Sequence, residues 1–277
     1  MITFPFAKIN LGLNVVERRS DGYHNLETVF YPIRSLCDAL EIHVMDNQFP
    51  SVTDCDLKIT NMAIDGEEQN NLVVRAYRLL KQDFPALPRL HIHLHKFIPT
   101  QAGMGGGSAD ASAMLKLLND TFSMGLSKNE LIKLATLLGA DCPFFIDGQP
   151  SYAEGIGEQL KPVNISLKGY YIGVVKPDIA VSTREAFSRV NPCHPVHCCR
   201  DIVKQPIETW RETLNNDFEH SVFALYPEIG HIKQRLYELG AVYASMSGSG
   251  SALFGIFKNP IDLSKEYPQF FTYSTLL

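Results

Sequence analysis

Along residues 6–15 the side chains alternate: Ala7, Ile9, Leu11, Leu13 and Val15 fall on one face, and Phe6, Lys8, Asn10, Gly12 and Asn14 on the other. A period of two predicts a strand. Its first face suits a core, whereas Lys8 and two asparagines on the second require polar partners, either structural groups or a ligand. The stretch 18–22 reads as a turn, with Asp21-Gly22 as the hairpin signal. Strands follow at about 27–33 and 40–44. Asn71 then caps a helix with Leu72, Ala76, Leu79 and Leu80 inward. Residues 90–94 form a strand, followed by a glycine-rich loop and a helix over about 108–118. Ser127 and Glu130 are spaced as a capping box for a helix ending near Leu138.

Beyond Pro150 the pattern predicts a strand at 170–175, a second capping box at Ser182 and Glu185, and helices near Trp210 and over 227–239. Strands at 242–245 and 252–257 flank Ser247-Gly248-Ser249-Gly250. Strands and helices alternate too unevenly for strict βαβ units, which favours an α+β fold in two lobes.

Composition narrows the function classes. The 25 Lys and Arg against 30 Asp and Glu give a formal charge of −5, against a broad nucleic-acid or anionic-membrane surface. No apolar run reaches the roughly 18 residues of a membrane span, and the first ten residues lack the pattern of a secretory signal. Six cysteines without framework spacing suggest reduced thiols and a cytoplasmic protein.

Chemistry concentrates in Pro99-Thr100-Gln101-Ala102-Gly103-Met104-Gly105-Gly106-Gly107-Ser108-Ala109-Asp110. A strand, a glycine-rich turn and a helix start present backbone N–H groups and a helix dipole to an anion. Four glycines within five positions exceed what a turn requires. The lysine of a Walker A loop is missing, the dinucleotide fingerprint fails at Ser108, and the protein-kinase signatures are absent. Two metal-like clusters read as structure. Cys193, His194, His197, Cys198 and Cys199 are crowded into seven residues, unlike paired zinc ligands, and His91, His93 and His95 suit a solvated strand face.

Further segments make the loop specific. Pro5-Phe6-Ala7-Lys8-Ile9-Asn10-Leu11, the glycine-rich loop, Leu138-Gly139-Ala140-Asp141-Cys142-Pro143-Phe144-Phe145 and Ser245-Met246-Ser247-Gly248-Ser249-Gly250-Ser251 together resemble the motifs of the GHMP small-molecule kinases. Arg19-Ser20-Asp21-Gly22-Tyr23-His24-Asn25-Leu26-Glu27-Thr28 and Ala153-Glu154-Gly155-Ile156-Gly157-Glu158 resemble the branch acting on a cytidylyl sugar alcohol. The match runs in order over nearly the whole chain.

The resemblance implies an N-terminal lobe over 1–152, a C-terminal lobe over 153–277 and an active site in the cleft between lobes. It implies phosphorylation by ATP, with Mg²⁺, of the 2-hydroxyl of 4-diphosphocytidyl-2-C-methyl-D-erythritol in the non-mevalonate isoprenoid route. Another small-alcohol acceptor and a non-catalytic nucleotide sensor are the alternatives. Asp141 and Lys8 match the catalytic pair: the carboxylate takes the proton of the attacking hydroxyl and the ammonium stabilises developing charge. An ion pair holding two elements together is the purely structural alternative.

Pro99, Gly103, Met104, Gly105, Gly106, Gly107, Ser108 and Ala109 match the ATP loop, with Ser108 a candidate Mg²⁺ contact. Asn71 and Lys96 match the adenine side, a helix cap and a solvated lysine being their plain readings. Asn10, Tyr23, His24, Thr183, Phe187 and Gly248 match the substrate pocket, where Tyr23 and Phe187 would sandwich the base and His24 read its edge. Met104 stands where the family usually has leucine, and Ala109 where it usually has a second hydroxyl. The implied partners are small molecules, with no nucleic acid, no membrane, and a monomer or weak homodimer.

Overall fold

The structure, a computed structural model, describes every residue except 47, 49, 50, 52 and 65. Contacts divide the chain into two compact units. Met1–Ala7, Arg34–Thr100 and Gly105–Gly148 form the first; Lys8–Ile33, Gln101–Met104 and Gln149–Leu277 form the second.

The chain opens with β1 (Ile2–Thr3), β2 (Phe6–Arg18), β3 (His24–Cys37), β4 (Ala39–Val44) and β5 (Cys55–Thr60). There follow α1 (Leu72–Asp83), β6 (Leu90–His95), α2 (Gly106–Thr121), α3 (Lys128–Leu138) and α4 (Cys142–Asp147). In the first unit the sheet order is β1-β4-β6-β5. β4 and β6 pair antiparallel, and β5 runs parallel to β6. The parallel pair needs a crossover, which α1 supplies. Leu40, Ile42, Leu90, Ile92 and Leu94 share a core with Val73, Ala76, Tyr77 and Leu80 of α1 and Met114, Leu115 and Leu118 of α2. His91, His93 and His95 alternate with that core, as a half-solvated strand requires; Thr60 Oγ1 lies 2.9 Å from His93 and 3.0 Å from His95.

The second unit adds β7 (Ser151–Glu154), β8 (Gln159–Pro162), β9 (Tyr171–Lys176), α5 (Thr183–Phe187), α6 (Cys199–Ile202) and α7 (Trp210–Thr213). α8 (Phe218–Leu225), α9 (Pro227–Glu238), β10 (Tyr243–Met246), β11 (Leu253–Phe257) and β12 (Phe271–Leu276) complete it. Its sheets run β2-β3-β7-β8 and β10-β11-β9-β12. Leu13 and Val15 share a core with Phe218, Val222, Ile229, Leu236 and Leu253.

Several expectations change. β2 is buried on both faces over residues 7–13, so its polar side chains lie inside the protein. β1, β5, β7, β8 and β12 escaped the pattern, and α2 starts two residues before the expected Ser108. The compact units interleave along the chain, because strands within Lys8–Ile33 pair with β7 and share the core of the C-terminal half. Among the described residues, no group of three or more His, Cys, Asp or Glu is arranged to hold a metal ion. No helix among them is long and apolar enough to cross a membrane.

Candidate active site

Lys8 and Asn10, both buried on β2, find the polar partners their positions require. The Lys8 ammonium donates to Asn10 Oδ1 at 2.6 Å and to the Gly103 carbonyl at 2.9 Å, and lies 4.9 Å from the Phe30 ring centroid. Asn10 Nδ2 donates to Thr28 Oγ1 at 3.0 Å. The Lys8 amide donates to the carbonyl of buried Met104 at 3.0 Å. Ser247 Oγ donates to the Gly103 carbonyl at 2.8 Å. Gly103 has φ +70°, and a Cβ there would meet the Ser247 carbonyl oxygen at 1.8 Å. Only glycine satisfies both the left-handed backbone and that approach. A Cβ on Gly248 would lie 3.3 Å from Asn10 Oδ1 and 3.2 Å from the Gly103 carbonyl oxygen. Lys8, Asn10, Gly103, Met104 and Gly248 thus meet at one junction within the second unit.

In the first unit Gly105 is the N-cap of α2, with φ +71°. The first turn, Gly106, Gly107 and Ser108, carries N–H groups that have no partner further back in the helix. Leu72, next to Asn71, would lie 3.7 Å from a Cβ on Gly107, so the start of α1 packs beside that of α2. Asn71 is the cap of α1, its Oδ1 accepting from the Val73 amide at 2.9 Å. Asp141 is the N-cap residue of α4 and is half-buried. Its neighbour Cys142 is pinned to α2: Ser112 Oγ donates to the Cys142 carbonyl at 2.8 Å. Burial pushes the Cys142 thiol up to about 11, opposed by a hydrogen bond with Ser108. Ser108 and Asp141 are therefore local to each other. Ala109 is buried and lines a small cavity with Phe6, Ala113, Lys116 and Phe145.

Lys96 departs from its plain reading. It is 1% exposed, not solvated, and its ammonium pairs with Asp38 and, at 2.8 Å, with Asp110. Pro99 is buried three residues on. Burial drives the Asp110 carboxyl upward, with Lys96 acting against it. Asp38, a single acidic residue outside any motif, carried no sequence signal, and Asp110, at the end of the glycine-rich stretch, had no role assigned from it. Asn216 and Glu219 were missed likewise. Asn216 Nδ2 donates to the Met246 and Gly248 carbonyls at 2.8 and 2.9 Å, and Glu219 accepts from Ser245 Oγ and the Met246 amide. These two hold the second glycine-rich turn.

The aromatic residues arrange differently from the expected sandwich. The His24 and Phe187 rings stack on each other, centroids 4.6 Å apart, and Phe187 meets Phe218 edge-on at 4.7 Å. Tyr23 is 62% exposed on a turn held by Arg19 and Asp21. Thr183, exposed at the start of α5, lies four residues before Phe187 and so on its face of the helix.

The family models for the GHMP kinases N terminal domain and GHMP kinases C terminal match residues 71–149 and 200–270. A 4-diphosphocytidyl-2-C-methyl-D-erythritol kinase of Bacteroides fragilis is 53% identical over 96% of this chain and 95% of its own. One from Solidesulfovibrio magneticus is 41% identical over 91% and 86%. A crystal structure of 4-(cytidine 5'-diphospho)-2C-methyl-D-erythritol kinase superposes with a TM-score of 0.82 at 31% identity, covering 99% of this chain and 98% of that one. The L. major mevalonate kinase shares the fold alone, with a TM-score of 0.69 at 17% identity over 100% and 96%. A glycine-rich helix start, a buried strand lysine and a second glycine-rich turn on an α+β scaffold, with these matches, define a small-molecule kinase of the GHMP class. The chain belongs to the GHMP kinases and, within them, to the family of the 4-diphosphocytidyl-2-C-methyl-D-erythritol kinases.

Proposed function

We propose that this protein transfers the γ-phosphoryl group of ATP to the 2-hydroxyl of 4-diphosphocytidyl-2-C-methyl-D-erythritol, releasing ADP and the 2-phosphate. The observation that carries the reading is the junction at Gly103, where strand lysine, phosphate loop and second glycine-rich turn share hydrogen bonds. Phosphoryl transfer needs little covalent chemistry from the protein; positioning and charge stabilisation dominate. Asp141 accepts the proton of the attacking hydroxyl, and Lys8 stabilises the charge that develops on the transferring group. The N–H groups at Gly106, Gly107 and Ser108 receive phosphate oxygens, and Asn71 borders the adenine through the start of α1. Asn10, Thr183 and Gly248 contact the acceptor, whose cytosine engages Tyr23, His24 and Phe187.

Ser108 Oγ, a hard oxygen donor on the first turn of α2, would hold a Mg²⁺, with phosphate and water supplying its other ligands. When bound, such an ion would neutralise phosphate charge. The six cysteines, free in the structure, are consistent with a cytoplasmic setting and a small-molecule pathway enzyme. ADP release, followed with the cytidylyl substrate, galactose, homoserine and mevalonate as acceptors, tests the assignment. Turnover only with the cytidylyl substrate is expected; preference for another acceptor overturns it.

A further inference from the structure

We propose that Asp38 and Asp110 are positioning residues for nucleotide binding, holding the Lys96 ammonium beneath Gly106 and thereby fixing the first turn of α2. The inference rests on the reading that ATP phosphates meet that turn. Three side chains from different elements converge here: Asp38 between β3 and β4, Lys96 just after β6, and Asp110 on α2. All are 2% exposed or less. Burying ions is expensive, and well-packed apolar side chains commonly serve stability as well or better. The geometry shows what the ions achieve instead.

Asp38 Oδ1 accepts from the Phe97 and Ile98 amides at 2.5 and 2.8 Å, clamping the segment that enters the glycine-rich loop. Asp110 lies on the helix that leaves the loop. Lys96 joins the two, its ammonium held by Asp38 Oδ2 and Asp110 Oδ2. Both ends of the loop are therefore tied to one cation. Asp110 Oδ1 has no hydrogen-bond partner among the described residues, and this carboxyl is oriented by Lys96 and by the adjoining Asp38 carboxyl. The glycine above is part of the device. A Cβ on Gly106 would stand 3.2 Å from Lys96 Nζ and 3.0 Å from Ile98 Cγ2, so the ammonium fills the space beneath the turn. Lys96 thus acts from inside the protein through the loop.

The test uses the full chain and a non-hydrolysable ATP analogue. Asp38→Asn and Asp110→Asn should each weaken analogue binding at least tenfold and leave the cytidylyl acceptor's Kd within twofold. Exchange of the Ala109 amide, which donates to the Gly105 carbonyl, should rise about tenfold, with the Leu118 amide unchanged. Met114→Ala, a cavity variant deeper on the same helix, supplies the signature of simple destabilisation: α2 amides moving together with analogue affinity retained. Asp110→Asn alters the carboxyl at nearly constant volume and keeps the test available if Asp38→Asn does not fold. Unchanged affinity in folded D110N overturns the proposal. Tighter binding also overturns it, because the carboxylate would then act only as a charge opposing phosphate. Failure of the wild type to bind the analogue overturns the nucleotide reading itself, and this inference with it.

Discussion

Around Gly106 the groups that shape the loop are buried and tied: Lys96 between two carboxylates, Asp38 on two backbone amides, and Ile98 against the glycine itself. Around Tyr23 the pattern reverses. Its ring is 62% exposed, Thr183 is exposed, and His24 and Phe187 use each other as stacking partners. The glycine-rich helix start is held by the protein's own interactions. If Tyr23, His24 and Phe187 engage the cytosine as proposed, the base must either displace the His24–Phe187 stack or pack at its edge. The contrast predicts steep losses where chemistry and phosphate contacts are disturbed, and gentler ones where the acceptor is read.

The largest effect is expected at Asp141. Asp141→Asn keeps shape but removes base and charge, and should lower kcat by roughly 10²–10⁴ with ATP affinity retained. Near-normal single-turnover rates in D141N would remove Asp141 from the mechanism. Gly103→Ala comes next. A left-handed non-glycine residue costs about 1–3 kcal/mol, and the new Cβ must also push the Ser247 carbonyl away. Urea unfolding should show that loss, together with a fall in kcat/KM; a variant matching wild type in both would dissolve the junction as a functional unit.

Tyr23→Ala should weaken acceptor binding by about 1–3 kcal/mol, the usual worth of one base stack, and leave ATP affinity alone. Calorimetry with both ligands separates the outcomes, and equal losses for ATP and acceptor would erase the contrast between the two regions. The smallest effect belongs to Asn71→Ala. Loss of its cap to the Val73 amide should cost about 1 kcal/mol of stability. A loss of ATP affinity well beyond that value would give Asn71 a direct contact in addition to its cap.

What could be read from the chain alone follows how local each signal is. Ser127 with Glu130 and Ser182 with Glu185 form capping boxes as their spacing predicts, because each box closes within one turn. Lys8 and Asn10 stood out because a polar face on an apolar strand is a conflict visible in ten residues, and burial resolves it through Gly103 and Thr28. Asp38, Asp110, Asn216 and Glu219 conflict with nothing nearby; their meaning comes from partners 14 to 60 positions away. β12 pairs with β9 across nearly a hundred residues, and its short pattern gave no hint of that. Lys96 shows the same limit. Its sequence neighbourhood suits a solvated side chain, and only the convergence of two distant carboxylates explains its burial.

The interleaving of the two units bears on how the molecule is made. Lys8–Ile33 leave the ribosome early, yet they belong with Gln149–Leu277. At synthesis rates of roughly 5–20 residues per second, the last of those partners emerge roughly twelve to fifty seconds later. During that interval two long strands rich in apolar residues stay without the core they will join, an exposure that favours chaperone capture or aggregation over early docking. The first unit, whose latest segment ends at Gly148, can close while the rest is still being translated, so nascent-chain folding should proceed from the phosphate-loop unit outward.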